Sequence, residues 1–391
     1  MNSDHRMLKL TVVVMAFVAV VGMAGPVAAD ATSSESPNAV VSMGDSFISG
    51  EAGRWEGNSS RSYGDRRGTD RAAYKRRGWW RYDRSLVYSA SDGNGCHRSD
   101  VAPVLSSEIA VERLINLACS GAATKNLIRA ENGGVGQNGE PSQADQLAVV
   151  AQSYDVEMIV VSIGGNDLGF GSIIVDCAID YLTSTSRRPR TCNEDQQQNI
   201  DSEIDDAMAS VGLVLDEIRA VMGQAGYGTD DYRLVLQSYA SPVPSGDEFR
   251  YGESKLSRTI KGRCPFWNAD ATWARDSFVP QLSSGLRAVS DSRGIEFLDM
   301  QDALDGREAC SKTTAQGRPD NAEWSRFVSL GIAQGDMQES LHPNAYGQRA
   351  NGSCLALLFD ATPGSYGCNN VADAGPDKMV LSSLRASMVG R

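Results

Sequence analysis

A serine hydroxyl attacks an ester carbonyl only when a base takes its proton and nearby donors hold the developing oxyanion. One serine of this 391-residue chain is set apart by what precedes it: Val40-Val41-Ser42-Met43 runs into Gly44-Asp45-Ser46. An apolar, partly β-branched run that meets glycine and aspartate predicts a buried strand closing in a tight turn, with Ser46 at its mouth. Bases are scarce, because the chain holds only three histidines, His5, His97 and His342. His5 falls in an N-terminal export signal. His97 stands in the polar turn Gly95-Cys96-His97-Arg98-Ser99, and His342 in Leu341-His342-Pro343-Asn344. Either could serve, and His342 is favoured, since Pro343 fixes the backbone beside it and a helix begins near Asn344. Two further turns offer donors, Ser120-Gly121-Ala122 and Gly164-Gly165-Asn166-Asp167. Glycine there permits a tight turn and lets a backbone N–H come close to a ligand.

These residues need elements to carry them. Leu114 to Cys119, Val156 to Ile163, Leu234 to Leu236 and Ile295 to Leu298 read as further short apolar strands. Between them, Ser142 caps a helix with Asp145 three positions on, and 199–223 repeats apolar residues at helical spacing. Phe278, Leu282 and Leu286 mark another helix, and one more runs from Pro343 to Leu358. Alternating strands and helices predict an α/β fold, a central parallel sheet covered by helices on both faces in three layers. Ligands of such sheets bind at the carboxyl ends of the strands. Gly44-Asp45-Ser46, Ser120-Gly121 and Gly165-Asn166 all fall at such ends, which predicts one site built from three turns.

The first 29 residues carry Arg6 and Lys9, an apolar run from Leu10 to Ala24 and small residues before Asp30, the pattern of a cleaved secretory signal. A retained membrane anchor is the alternative, but the run is short for a span. Residues 30–38 read as a flexible leader, 39–370 as one domain and the weakly patterned 371–391 as a tail. The eight cysteines, even in number and in an exported chain, predict disulfides, with on the order of a hundred pairings open. No C-x-x-C pair occurs, so no metal or other cofactor is expected. A formal charge of −12 argues against nucleic acid as a partner. Residues 51–95 interleave ten arginines and lysines with tryptophans and tyrosines. They read either as a solvated insertion whose arginines pair with acids elsewhere, or as a rim that meets an anionic, amphiphilic substrate.

Taken together, Gly44-Asp45-Ser46, Gly121, Gly165-Asn166-Asp167 and His342-Pro343 resemble the four ordered blocks of the SGNH (GDSL-type) hydrolases. The disulfide-rich form is similar to the secreted bacterial branch of esterases, lipases and phospholipases. The resemblance implies a flavodoxin-like strand order. It implies Ser46 as nucleophile, His342 as base, and an oxyanion hole of the Ser46 and Gly121 N–H groups with the Asn166 amide. It also implies disulfides between sequence neighbours: Cys96–Cys119, Cys177–Cys192, Cys264–Cys310 and Cys354–Cys368. Most members carry aspartate three residues before the histidine; here Glu339 stands there. The ring is therefore oriented either by Glu339 or by the backbone carbonyl of Ser340, and the carbonyl is favoured. The absence of G-x-S-x-G argues against an α/β-hydrolase elbow. The expected protein is a secreted, monomeric serine esterase acting on acyl esters, of lipid or phospholipid type, in transient contact with lipid aggregates. A carbohydrate O-acetyl esterase, or a non-catalytic binder of surface lipids or glycans, are the alternatives. A large apolar slot beside Ser46 would favour long acyl chains, a shallow polar one acetyl.

Overall fold

The structure, a computed structural model, describes residues 36–58, 73–77, 79–88, 93–314, 321–329, 331 and 334–384. The expected signal and leader therefore lie outside the described residues, apart from the end of the leader. Ser36 onward forms one compact unit.

Nine strands run in chain order: β1 (Asn38–Gly44), β2 (Ala73–Arg76), β3 (Trp79–Tyr82), β4 (Arg113–Asn116), β5 (Asp155–Ser162), β6 (Arg233–Gln237), β7 (Glu296–Asp299), β8 (Tyr366–Asn369) and β9 (Val380–Ser383). The helices are α1 (Ser46–Ser49), α2 (Ser85–Tyr88), α3 (Gln143–Ser153), α4 (Phe170–Thr183), α5 (Asn193–Gln224), α6 (Asn268–Trp273), α7 (Val279–Arg293) and α8 (Ala345–Asp360). Seven strands make one sheet in the order β4-β1-β5-β6-β7-β8-β9, while β2 and β3 form a separate hairpin. The first five strands of that sheet stand in the flavodoxin-like order that the resemblance implies. All its pairs are parallel except the last, β8 with β9.

Side chains alternate across this sheet, as period two requires. Val41, Met43, Ile159, Val161, Leu234, Leu236 and Phe297 enter one core, with Leu147 of α3, Val211 and Leu215 of α5, and Leu282 and Leu286 of α7. Val40, Met158, Val160, Val235 and Leu298 enter the other, with Tyr346, Ala350, Leu355 and Leu358 of α8. Both faces are dry, so the strands read as continuous apolar runs.

Two expectations change. The sheet is mixed rather than wholly parallel, because β9 turns back along β8. The stretch expected as a tail supplies that strand, and Met379 and Leu381 pack into the α8-side core. Short edge strands such as Val380–Ser383 carry too little pattern to show in a sequence. The four disulfides join Cys96 to Cys119, Cys177 to Cys192, Cys264 to Cys310 and Cys354 to Cys368.

Candidate active site

Three strand ends meet beside Ser46. Gly44 ends β1 at φ +135°, and a Cβ there would lie 2.0 Å from the Ser162 carbonyl oxygen, so only glycine fits. Gln143, first residue of α3, holds that glycine from both sides: its amide oxygen accepts from Gly44 N–H at 2.7 Å and its amide nitrogen donates to the Gly44 carbonyl at 2.8 Å. Asp45 caps α1, its carboxylate accepting from Phe47 N–H at 3.0 Å and from the Tyr239 hydroxyl at 2.5 Å. Burial drives the Asp45 carboxyl up to about 7 despite these bonds. Ser46 is thereby placed on the first residue of a one-turn helix, over the end of the sheet.

The neighbouring turns are tied to one another. Thr124 donates its N–H and its hydroxyl to Asp167, the hydroxyl at 2.6 Å. The Asn166 amide donates to the Ala122 carbonyl at 2.9 Å, which fixes its orientation and uses one of its two hydrogens. Tyr239, bonded to Asp45, also accepts from Gly165 N–H at 3.1 Å. Gly121 takes φ +77°. Among the described residues, neither Ser46 N–H nor Gly121 N–H has an acceptor within the chain.

His342 arrives from the other end of the sequence. Its Nε2 lies 2.7 Å from Ser46 Oγ, and its Nδ1 3.0 Å from the Ser340 carbonyl oxygen. Leu341 between them takes the left-handed conformation, φ +63°, which turns the 340 carbonyl back toward the ring. Leu341 N–H donates to the Arg326 carbonyl and Arg326 N–H to the His342 carbonyl, so the loop is paired on both sides. Asn344 then caps α8, accepting from Tyr346 and Gly347 N–H groups. Burial holds the imidazole below its ordinary value, while the Glu51 charge and the Ser340 bond pull the other way.

Glu339 does not reach the ring's Nδ1 bond. Its carboxylate accepts from Trp55 Nε1 at 2.6 Å and from the Tyr82 hydroxyl, and lies 3.2 Å from the Tyr88 hydroxyl. Burial, reinforced by the nearby Glu51 charge, pushes it up to about 7. His97 is also elsewhere. Its Nδ1 is 2.6 Å from Glu51, its Nε2 meets Arg84, and its ring stacks on Tyr88. The histidine in the polar turn is thus a buried brace beside the Cys96–Cys119 disulfide, not a partner of Ser46. Within 51–95, Trp55 is buried under the Arg326 guanidinium, 3.8 Å from its ring centre, Arg54 pairs with Asp100 at the surface, and Arg84 is exposed. Arg61, Tyr63, Arg66, Arg67 and Arg71 lie outside the described residues.

Ser46 and His342 open onto a groove of about 460 Å³ whose walls are overwhelmingly apolar. Phe170, Ile174, Ala178 and Leu182 of α4 form one wall, with Val328 and Met337 opposite. The sequence reading missed these walls, along with Gln143 and Tyr239. Helix α4 carries apolar residues on its groove side as well as its core side, and Tyr239 is distant in sequence from the turn it braces. No group of acidic, histidine or cysteine side chains able to hold a metal occurs among the described residues.

The GDSL-like lipase/acylhydrolase family matches residues 42–350. The chain belongs to this family. It is similar to an esterase of Streptomyces scabiei, 25% identical over 210 residues, which are 50% of this chain and 56% of that relative. Among solved structures it is similar to an extracellular lipase from Streptomyces rimosus, 20% identical, TM-score 0.46, covering 83% of this chain and 100% of the other. A phospholipase A1 from Streptomyces albidoflavus is 18% identical, with TM-score 0.48 and the same coverage.

Proposed function

We propose that the protein is a secreted serine hydrolase of long-chain acyl esters, with lipid or phospholipid esters as substrates. The observation that carries this reading is the 2.7 Å contact of Ser46 Oγ with His342 Nε2 at the head of a large apolar groove. Ser46 attacks the ester carbonyl carbon while His342 Nε2 takes its proton. The carbonyl oxygen becomes an oxyanion and accepts bonds from Ser46 N–H, Gly121 N–H and the second Asn166 amide hydrogen. The intermediate collapses, and His342 returns the proton to the leaving alcohol. Water, activated by the same imidazole, then frees the acid from Ser46. The Ser340 carbonyl holds Nδ1–H throughout and keeps Nε2 aimed at the hydroxyl.

Groove size supports long chains over acetyl. From Phe170 to Leu182 the helix wall extends about 18 Å, comparable to a fatty acyl chain. Export is supported by the sequence signal and by four disulfides, which persist outside a reducing cytosol. Among the described residues no helix is long and apolar enough to cross a membrane.

A series of p-nitrophenyl esters from acetyl to palmitoyl, run beside Ser46→Ala, tests the reading. We expect kcat/KM to rise toward long chains, and Ser46→Ala to abolish both turnover and fluorophosphonate labelling. Turnover surviving in Ser46→Ala would overturn the mechanism. A maximum at acetyl would overturn the substrate class and favour a carbohydrate O-acetyl esterase.

A further inference from the structure

Large apolar side chains are exposed around the open side of the groove. Leu256 and Ile260 are 66% and 62% exposed, Met337 63%, and Val175, Ile179 and Leu182 between 45% and 49%. They come from three separate segments, and each segment also supplies groove lining: α4, the wide helical turns of Leu256–Gly262, and the loop before His342. Val175, Ile179 and Leu182 repeat at helical spacing, so they make one stripe along α4. The far end of the groove is tied: Lys255 Nζ donates to the Leu182 carbonyl at 2.6 Å, and the Tyr181 hydroxyl donates to the Glu253 carbonyl at 3.1 Å.

Charge on this rim runs against that of the whole. The chain carries a net charge of −12. Yet the stretch from Leu182 to Asn193 holds Arg187, Arg188 and Arg190 and no acid, and that from Ser254 to Ala269 holds Lys255, Arg258, Lys261 and Arg263 and no acid. Arg187, Arg188, Arg190 and Lys261 are exposed. Of the acids on these segments, Asp180 pairs with Arg190, Asp336 lies 3.9 Å from Arg84, Asp176 accepts from Gln196 and Glu253 accepts from Asn268 N–H. An exposed apolar rim set among basic side chains matches one kind of partner, an interface whose interior is hydrocarbon and whose surface is negative.

We propose that this rim docks the protein on an anionic phospholipid surface, with Leu256, Ile260 and Met337 entering the interface and the flanking arginines and lysines meeting the headgroups. The inference rests on the hydrolase reading and deepens it. A lipid drawn from that surface enters the groove directly, with its ester moving toward Ser46. The docking face is then α4 together with 256–262.

Co-sedimentation of the full-length chain with vesicles tests this, in a Ser46→Ala background so that the vesicles are not consumed. We expect tighter partition to phosphatidylglycerol than to phosphatidylcholine vesicles, weakening as salt rises. Adding Leu256→Glu with Ile260→Glu should lower partition about tenfold or more. Both side chains are mostly exposed, so the melting temperature should match the parent's. Arg187→Glu with Arg188→Glu should remove the preference for phosphatidylglycerol. Equal binding to both vesicle types, no binding, or indifference to the Leu256/Ile260 pair would overturn the proposal. So would protein self-association that the same pair abolishes, which would assign the face to a second copy of the chain. Ester hydrolysis by the chain with Ser46 intact, without vesicle binding, sinks docking alone; vesicle binding with no ester hydrolysis by the chain with Ser46 intact sinks the hydrolase reading alone.

Discussion

As the proposed oxyanion donor, Asn166 should matter out of proportion to its size, because its amide is fixed by one bond and has one hydrogen left. Removing a single oxyanion donor costs about 10²–10³ in kcat elsewhere. Asn166→Ala should lose that much on a soluble p-nitrophenyl ester with little change in KM, and a matched circular dichroism spectrum would confirm the fold. His342 titrates below its ordinary value because it is buried. Only the neutral imidazole accepts the serine proton, so kcat/KM should reach half its plateau below pH 6.5. A pH profile with its acid limb centred above 7 would contradict that. Glu339 behaves oppositely. Its folded value, about 7, is raised from 4.5, so its contribution is fully present below pH 4.5 and is lost as pH rises through about 7. The stability advantage of the parent over Glu339→Gln should therefore shrink between pH 5 and pH 8.5, by at most about 3 kcal/mol, in urea titrations at both values. The three turns around Ser46 were legible because they close apolar strand runs and because their order matches the blocks of one family. The direction of Glu339 was not, since it depends on the left-handed turn at Leu341, where no glycine or asparagine marks the conformation.

At the scale of elements, the turn after β1 admits one residue at position 44. Gly44→Ala places a methyl against the Ser162 carbonyl and strains a positive φ. Stability should fall by more than about 3 kcal/mol in thermal or urea unfolding, with activity lost alongside it. Five of the six parallel strands were readable as short apolar runs, β8 being the one missed, and α5 as a long run of apolar residues at helical spacing. Helix α4 was not readable. Ile173, Cys177 and Tyr181 are buried on its core side, but Val175, Ile179 and Leu182 on the outer side are apolar too, so residue type alone does not tell the groove face from the core face. The groove walls come from 170–182, 259–265 and 328–340, and only the folded chain brings those stretches together.

For the whole molecule, β8 and β9 complete the sheet beyond what the pattern suggested, and deleting 371–391 tests the worth of β9. The truncation uncovers the outer edge of β8 and removes Met379 and Leu381 from the α8-side core. Burying one such side chain stabilises by about 1.5–3 kcal/mol, so the melting temperature should drop by several degrees. The four disulfide pairs became legible only through the family resemblance, because spacing leaves many pairings open. On the proposed mechanism, the same architecture dictates when the hydroxyl at 46 becomes a nucleophile. Ser46 and His342 stand 296 positions apart, and the bond between them forms only after the stretch from Trp324 to Asn344 is seated. A ribosome delivers residue 46 long before residue 342. Throughout synthesis, and during any threading through a translocon, the hydroxyl at 46 is an ordinary alcohol. Chain order alone thus withholds the proposed nucleophile until residues up to 344 have emerged and folded.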